Sequence, residues 1–425
     1  MKRRTFVAGS LALPFVAAGV ARAQSTQAFK GQHITALLEG HPTSNSMRDM
    51  LPEFQRETGI DVTLEIVPYN DLTPKALLAY SSKSNRYDIV MDDWVHGVGY
   101  AAANYIQPIS ALAEKLPLYF DKSDLVPRFF DTLEYKGERF GLPVYGESTF
   151  LMYRKDLFAQ KGLKVPTTFD ELAEAAAKLK EGRIAGITLR GEQGIQNVYV
   201  WAAFLWGFGG EWISGGKCQL TSPEAEQALT AYADILRRSG PPGVANFGWQ
   251  ENRLLFQQGR AAMTIDATVN GAFNEDPSQS SVVGKVGYAT VPKQNVPLKG
   301  SSSSLAVHGL YISKTTPSPE AAWLFVSWAT AKQQQIKSVT LNPNCGVSSL
   351  AAMDSKEYMD RYGSFKEATL KAIQAGNQNY LPNIPQANAI INNTGIAISQ
   401  ALAGTSSAKD ALAAANAKND QALAG

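Results

Sequence analysis

Apolar and polar positions along the chain follow two alternating periods. Residues 33–38 form a short apolar run that ends at Glu39 and Gly40, which predicts a buried strand. Met47, Met50, Leu51 and Phe54 follow at helical spacing, with Gly59 as a stop. Residues 60–67 alternate as a strand does, Leu72, Ala76, Leu77 and Tyr80 mark a second helix, and residues 88–91 form a third short strand. Strand, helix, strand, helix, strand predicts a parallel sheet with helical crossovers. Further on, Thr168 and Glu171 match a capping box ahead of Leu172, Ala176 and Leu179. Ser222 and Pro223 open a helix that Gly240 closes, and Ser318 and Pro319 open another carrying Trp323, Leu324 and Trp328. An Ala-rich helix is expected around residues 408–417.

Open α/β sheets bind ligands beyond the carboxyl ends of their strands. That rule points to the loops at 41–45, 92–96, 145–148 and 266–270, and to His308. A chain of 425 residues exceeds one ordinary domain, so two are expected. With 44% hydrophobic, 18% charged and 10% aromatic residues it has the means for a sizeable core.

The first 23 residues read as a signal peptide: Lys2, Arg3 and Arg4, an apolar run over 11–20, then Ala21, Arg22 and Ala23 as a cleavage pattern. The run is too short to span a bilayer, and no later stretch approaches the ~20 apolar residues needed. Arg3 and Arg4 before Thr5 and Phe6 point to twin-arginine export, with an ordinary secretory signal as the alternative. A periplasmic location is expected. Without Lys2, Arg3, Arg4 and Arg22, 36 of the 40 basic residues remain against 38 acidic ones, a net charge of −2. Nothing in that balance attracts nucleic acid or anionic lipid. An oxidising compartment permits a disulfide between Cys218 and Cys345, with two free, partly buried thiols as the alternative.

Catalytic and metal motifs do not rise above background. His33, His41, His96 and His308 are scattered, without the spacing of a zinc site, and no cofactor or metal is expected. Gly97, Val98 and Gly99 lack the third glycine of a dinucleotide fingerprint. A secreted carbohydrate-active hydrolase remains the alternative, because Asp92, Asp93, Glu147 and Asp266 offer paired carboxylates. The primary expectation is a protein that is not an enzyme.

Several stretches in order resemble the family 1 extracellular solute-binding proteins, the group containing the maltose-binding protein. They are Tyr135 and Gly137 with Gly141, Leu142 and Pro143; the run from Tyr153 to Phe158; the run from Pro166 to Leu172; and residues 205–211, 258–263 and 382–386. Together they cover nearly the whole chain after the signal segment. The resemblance implies an α/β, two-lobed periplasmic binding protein fold, type II-like, with several hinge crossings. These are expected near 143–147, at Asp266 and around 332–345. Lobe I is then 24–144 plus 268–332, and lobe II 145–267 plus 333–425. The implied function is capture of a neutral polyol or small sugar by hinge closure, for delivery to the transmembrane subunits of an ABC permease by a monomeric carrier.

Residues 145–148 resemble the sorbitol- and mannitol-binding branch, and Glu147 falls where the maltose binder has a sugar-contacting Glu. A carboxylate suits that role because it accepts from two hydroxyls through charge-assisted bonds; a solvated hinge residue is the alternative. Asp92 and Asp93 follow a strand, so one is expected to accept from ligand and the other to cap a loop. Asp266 follows the strand 262–265 in the same way, as ligand contact or hinge residue. Ile391 and Val269 stand where the maltose binder has stacking Trp residues, which disfavours long oligosaccharides. No Arg occurs over 342–346, where many relatives carry one, which disfavours a strongly anionic ligand. His41, Asn45, Tyr145, Trp249, His308, Asn344 and Asn388 complete the candidate set of donors, acceptors and walls.

Overall fold

The computed structural model of the protein describes residues 27–117 and 119–424, and the signal segment expected at 1–23 lies outside them. Eight strands build two sheets: β1 (His33–Glu39), β2 (Asp61–Val67), β3 (Ile89–Asp93), β4 (Gly141–Glu147), β5 (Thr149–Arg154), β6 (Met263–Ala267), β7 (Val286–Ala289) and β8 (Ala306–Ile312). The first sheet has the order β2-β1-β3-β8-β4 and the second the order β6-β5-β7.

β1, β2 and β3 are parallel, as the strand–helix alternation predicts. β8 pairs antiparallel with β3, and β4 pairs antiparallel with β8, so β4 runs in the direction of β1 to β3 and β8 is the one reversed strand of this sheet. The helix Pro42–Thr58 starts at His41, whose ring accepts from the Thr43 N–H, and places Pro42 in the first turn, where no N–H partner is lost. Gly59 ends it at φ 69°, a left-handed value that glycine adopts without strain. The capping box of Thr168 and Glu171 forms as expected.

In the second lobe, Ala185 and Thr188 bridge in parallel to Ala261 and Thr264, extending the β6 edge. Helices Ile195–Gly207, Pro223–Ser239, Ala387–Ala403 and Ala408–Ala424 pack together there. Beyond Gln196 and Asn197 in its first turn Ile195–Gly207 is largely apolar, and it is buried from Gln196 to Gly207, so it runs through the core instead of along its surface.

The chain passes from the first sheet to the second at Ser148 and returns between β7 and β8. Ser148 alone separates β4 from β5; its N–H donates to Thr268 Oγ1 at 3.2 Å and its carbonyl accepts from the Thr268 N–H at 2.7 Å. The Ser304 N–H donates to Thr149 Oγ1 at 3.0 Å, which ties the returning segment to the outgoing one. This layout moves the boundaries read from the sequence. β7 pairs with β5 in the second sheet, although 268–332 was assigned to the first lobe. Helix Lys332–Leu341 packs on Pro42–Thr58 of the first lobe, although 333–425 was assigned to the second. Both shifts come from pairings between residues far apart in sequence, which local periodicity does not carry.

Cys218 and Cys345 are free and buried, and burial pushes the Cys345 thiol up to about 12. Among the described residues, no helix is long and apolar enough to cross a membrane.

Candidate functional site

Strand register builds one wall of a cavity between the lobes. His308 on β8 lies opposite Asp93 on β3 and opposite Tyr145 on β4. The pairing with β4 slips between His308 and Gly309, a bulge of the kind that re-aims side chains at functional edges. Tyr145 is consequently held between two imidazoles: its ring stacks on His308 at 4.1 Å and on His41 at 4.6 Å, each at 16°. Its hydroxyl donates to Glu39 at 2.9 Å.

His308 bridges two carboxylates, with Nδ1 3.2 Å from Glu39 and Nε2 3.5 Å from Asp93. Burial works against the imidazolium, but Asp93 and Glu39 more than offset it and push its pKa up to about 10. Burial likewise raises Glu39, and the His308 charge outweighs it, bringing that carboxyl down to about 2. Tyr69 completes this wall by donating to Asp93 at 2.8 Å. His41, with its Nε2 unpartnered, is pushed down to about 4 by burial and stays neutral.

The second lobe supplies the facing wall: Arg190, Ile195, Tyr199, Trp249 and Val269. Arg190 donates through Nε to Asp266 at 3.1 Å and through Nη1 to Gln196 at 3.3 Å, and its guanidinium lies over the Tyr199 ring at 4.7 Å. Trp249 is fixed by a 2.7 Å bond from its indole N–H to Asn270 and by Arg253 over its ring at 5.0 Å. Glu147 is a buried carboxyl with little support. Among the described residues its side chain accepts one hydrogen bond, a 3.5 Å contact from the Tyr199 hydroxyl, and burial pushes its pKa up to about 8.

Of the sequence-predicted residues, His41, Asp93, Tyr145, Glu147, Trp249 and His308 line this cavity. Five others are placed elsewhere. Asp92 turns away from it to accept from the Thr73 and Tyr100 hydroxyls and from the Asp93 N–H. Asp266 sits behind Arg190, where Asn252 also donates to it. Asn344 donates to Asp276 at 2.8 Å, Asn388 pairs with His96, and Asn45 lies half-buried within Pro42–Thr58. Val269 lines the cavity, whereas Ile391 is buried within Ala387–Ala403. Glu39, Tyr69, Arg190, Ile195 and Tyr199 were missed. Glu39 carried the same signal as Asp93, a carboxylate at the end of an apolar strand; Arg190 and Tyr199 carried none.

Hydroxyl, carboxylate and imidazole groups around one aromatic wall suit a ligand rich in neutral hydroxyls. The one lining guanidinium is already occupied by Asp266, so it offers no free charge to an anion.

The bacterial extracellular solute-binding protein family matches residues 40–336. A mannitol-binding protein from Pseudomonas aeruginosa is 29% identical, over 96% of this chain and 94% of that one. Among solved structures, an ABC transporter solute-binding protein from Agrobacterium radiobacter K84 in complex with ribitol aligns with a TM-score of 0.86 and 29% identity, covering 92% of this chain and 99% of its own. One from Agrobacterium vitis S4 with bound D-mannitol aligns at 0.84 and 27%, covering 93% and 99%.

Proposed function

We propose that this chain, which belongs to the bacterial extracellular solute-binding protein family, captures a linear polyol of pentitol or hexitol size between its lobes. It then hands that polyol to the membrane-spanning subunits of an ABC importer. The relatives named for or crystallised with mannitol and ribitol support the ligand class. The observation that carries it here is the cavity itself. Glu39, Asp93, Glu147 and Tyr199 offer hydrogen-bonding groups at several points, while Arg190 is neutralised by Asp266. A polyol has no rigid apolar ring face, so side-chain hydrogen bonds carry its recognition, and a mismatched ligand leaves buried groups unpaired.

Export as a monomer to the periplasm completes this reading, supported by the basic-then-apolar start of the chain and by the family. Closure about the two crossings, at Ser148 and just before β8 at Ser304, is the capture step.

Thermal-shift and calorimetric titration with ribitol, D-mannitol, D-sorbitol, maltose and maltotriose test the reading. An alditol should give the largest shift, since a tight ligand adds roughly 3–4 kcal/mol at ~100–1,000 times Kd. Tight maltotriose binding with no alditol response would overturn it.

A further inference from the structure

Outside the cavity, at the mouth of the cleft, the two lobes touch through a polar relay. Asn70 lies in the first lobe, in the helix that follows β2, and Glu192 and Gln196 lie in the second. The Asn70 amide donates to both Glu192 oxygens, at 3.1 and 3.2 Å, and its carbonyl accepts from the Gln196 amide at 2.9 Å. The other end of Gln196 faces the ligand walls: its carbonyl accepts from the Trp249 N–H at 3.0 Å and from Arg190 at 3.3 Å. Gln196 is buried, and Asn70 is its partner from the opposite lobe. At another point of the interface, His96 pairs with Asn388 across the same two lobes.

We propose that Asn70 is a positioning residue for ligand retention, acting through Gln196 without touching the ligand. When the lobes close, Asn70 engages Glu192 and Gln196 together. Gln196 then holds the Trp249 backbone and the Arg190 guanidinium where the cavity needs them. When the lobes part, Gln196 loses its partner from the first lobe and both walls loosen. The relay therefore governs how long the closed state lasts, not how fast a ligand enters. This inference rests on the hinge-closure reading above.

The decisive variant is Asn70→Asp, which sets a carboxylate against Glu192 with almost no change of shape. Stopped-flow fluorescence and calorimetry with D-mannitol should show a Kd raised about three- to tenfold, nearly all of it in the dissociation rate. Adding Glu192→Gln to Asn70→Asp restores a donor for the introduced carboxylate and should recover most of the loss. A merely structural role would not produce this rescue. An unchanged dissociation rate in Asn70→Asp, or no rescue in the double variant, overturns the relay. Failure of the wild-type chain to bind any alditol sinks the proposed ligand class instead. The relay is then decided by the same dissociation rates measured with the maltose or maltotriose that binds in its place, where Asn70→Asp should speed release and the double variant reverse it; an unchanged rate in all three overturns it.

Discussion

Arg190 and Asp266 form a buried ion pair at the back of the ligand cavity, with Nε and Nη2 of the guanidinium both directed at the one carboxylate. The arrangement places a cation at the cavity wall and cancels it. Burial works against the guanidinium's charge, and Asp266 more than offsets that, so Arg190 stays protonated. It acts as an oriented platform over Tyr199 instead of a counter-charge.

Breaking that pair should be severe. Asp266→Asn leaves an uncompensated buried cation, and removing one partner of such a pair typically destabilises by about 3–5 kcal/mol. Denaturant unfolding should show a loss of that order. Any folded variant should gain affinity for a sugar acid relative to its alditol; an unchanged preference would count against Arg190 facing the ligand.

Glu147 carries the opposite liability. Its pKa, raised by burial to about 8, means the charged form opposes the closed fold, so this contribution to stability falls as pH rises from about 4.5 to about 8. Glu147→Gln should therefore raise the unfolding temperature of the unliganded chain at pH 8 more than at pH 5. At neutral pH, where the raised pKa keeps this carboxyl protonated, the same variant should weaken alditol binding by about 0.5–1.5 kcal/mol, the usual net worth of a neutral hydrogen bond. Glu211→Gln, which removes only a pairing with Lys299, serves as the control that keeps its affinity.

The His308 charge gives a second pH signature of the same sign. A histidine raised to about 10 contributes stability that is fully present below about 6.5 and is lost as pH rises through about 10. Wild-type melting temperatures should fall across that window. His308→Gln should flatten the profile there and lower stability at pH 6, because Glu39 and Asp93 would then lose the cation between them.

Asp92 and Asp93 are adjacent in sequence and should behave differently. Asp93→Asn alters a cavity group and should raise Kd roughly ten- to a hundred-fold. Asp92→Asn disturbs the acceptor for Thr73 and Tyr100, so its effect should appear in the melting temperature with Kd nearly unchanged. Calorimetry and unfolding measured on both variants decide it, and equal Kd losses would refute the distinction.

Local patterning determined much of this protein. The strand–helix alternation of β1 to β3, the helix starting after His41, the left-handed stop at Gly59 and the capping box at Thr168 all follow from neighbouring residues, and all form as read. The same patterning pointed to the segments after β1 and β3 and at the end of β4, and His41, Tyr145 and Glu147 from those segments line the cavity. Tertiary structure alone decided the rest. Asp266 also ends a strand, but Arg190, 76 residues earlier, captures it, and no local signal announces that partner. Which of Asp92 and Asp93 faces the ligand depended on where the Thr73 and Tyr100 hydroxyls lie. The lobe boundaries moved because β7 found β5, residues separated by more than a hundred positions. Periodicity reports which face of an element is buried; it does not report against what, because burial is scored by apolarity and long-range partners are chosen by geometry.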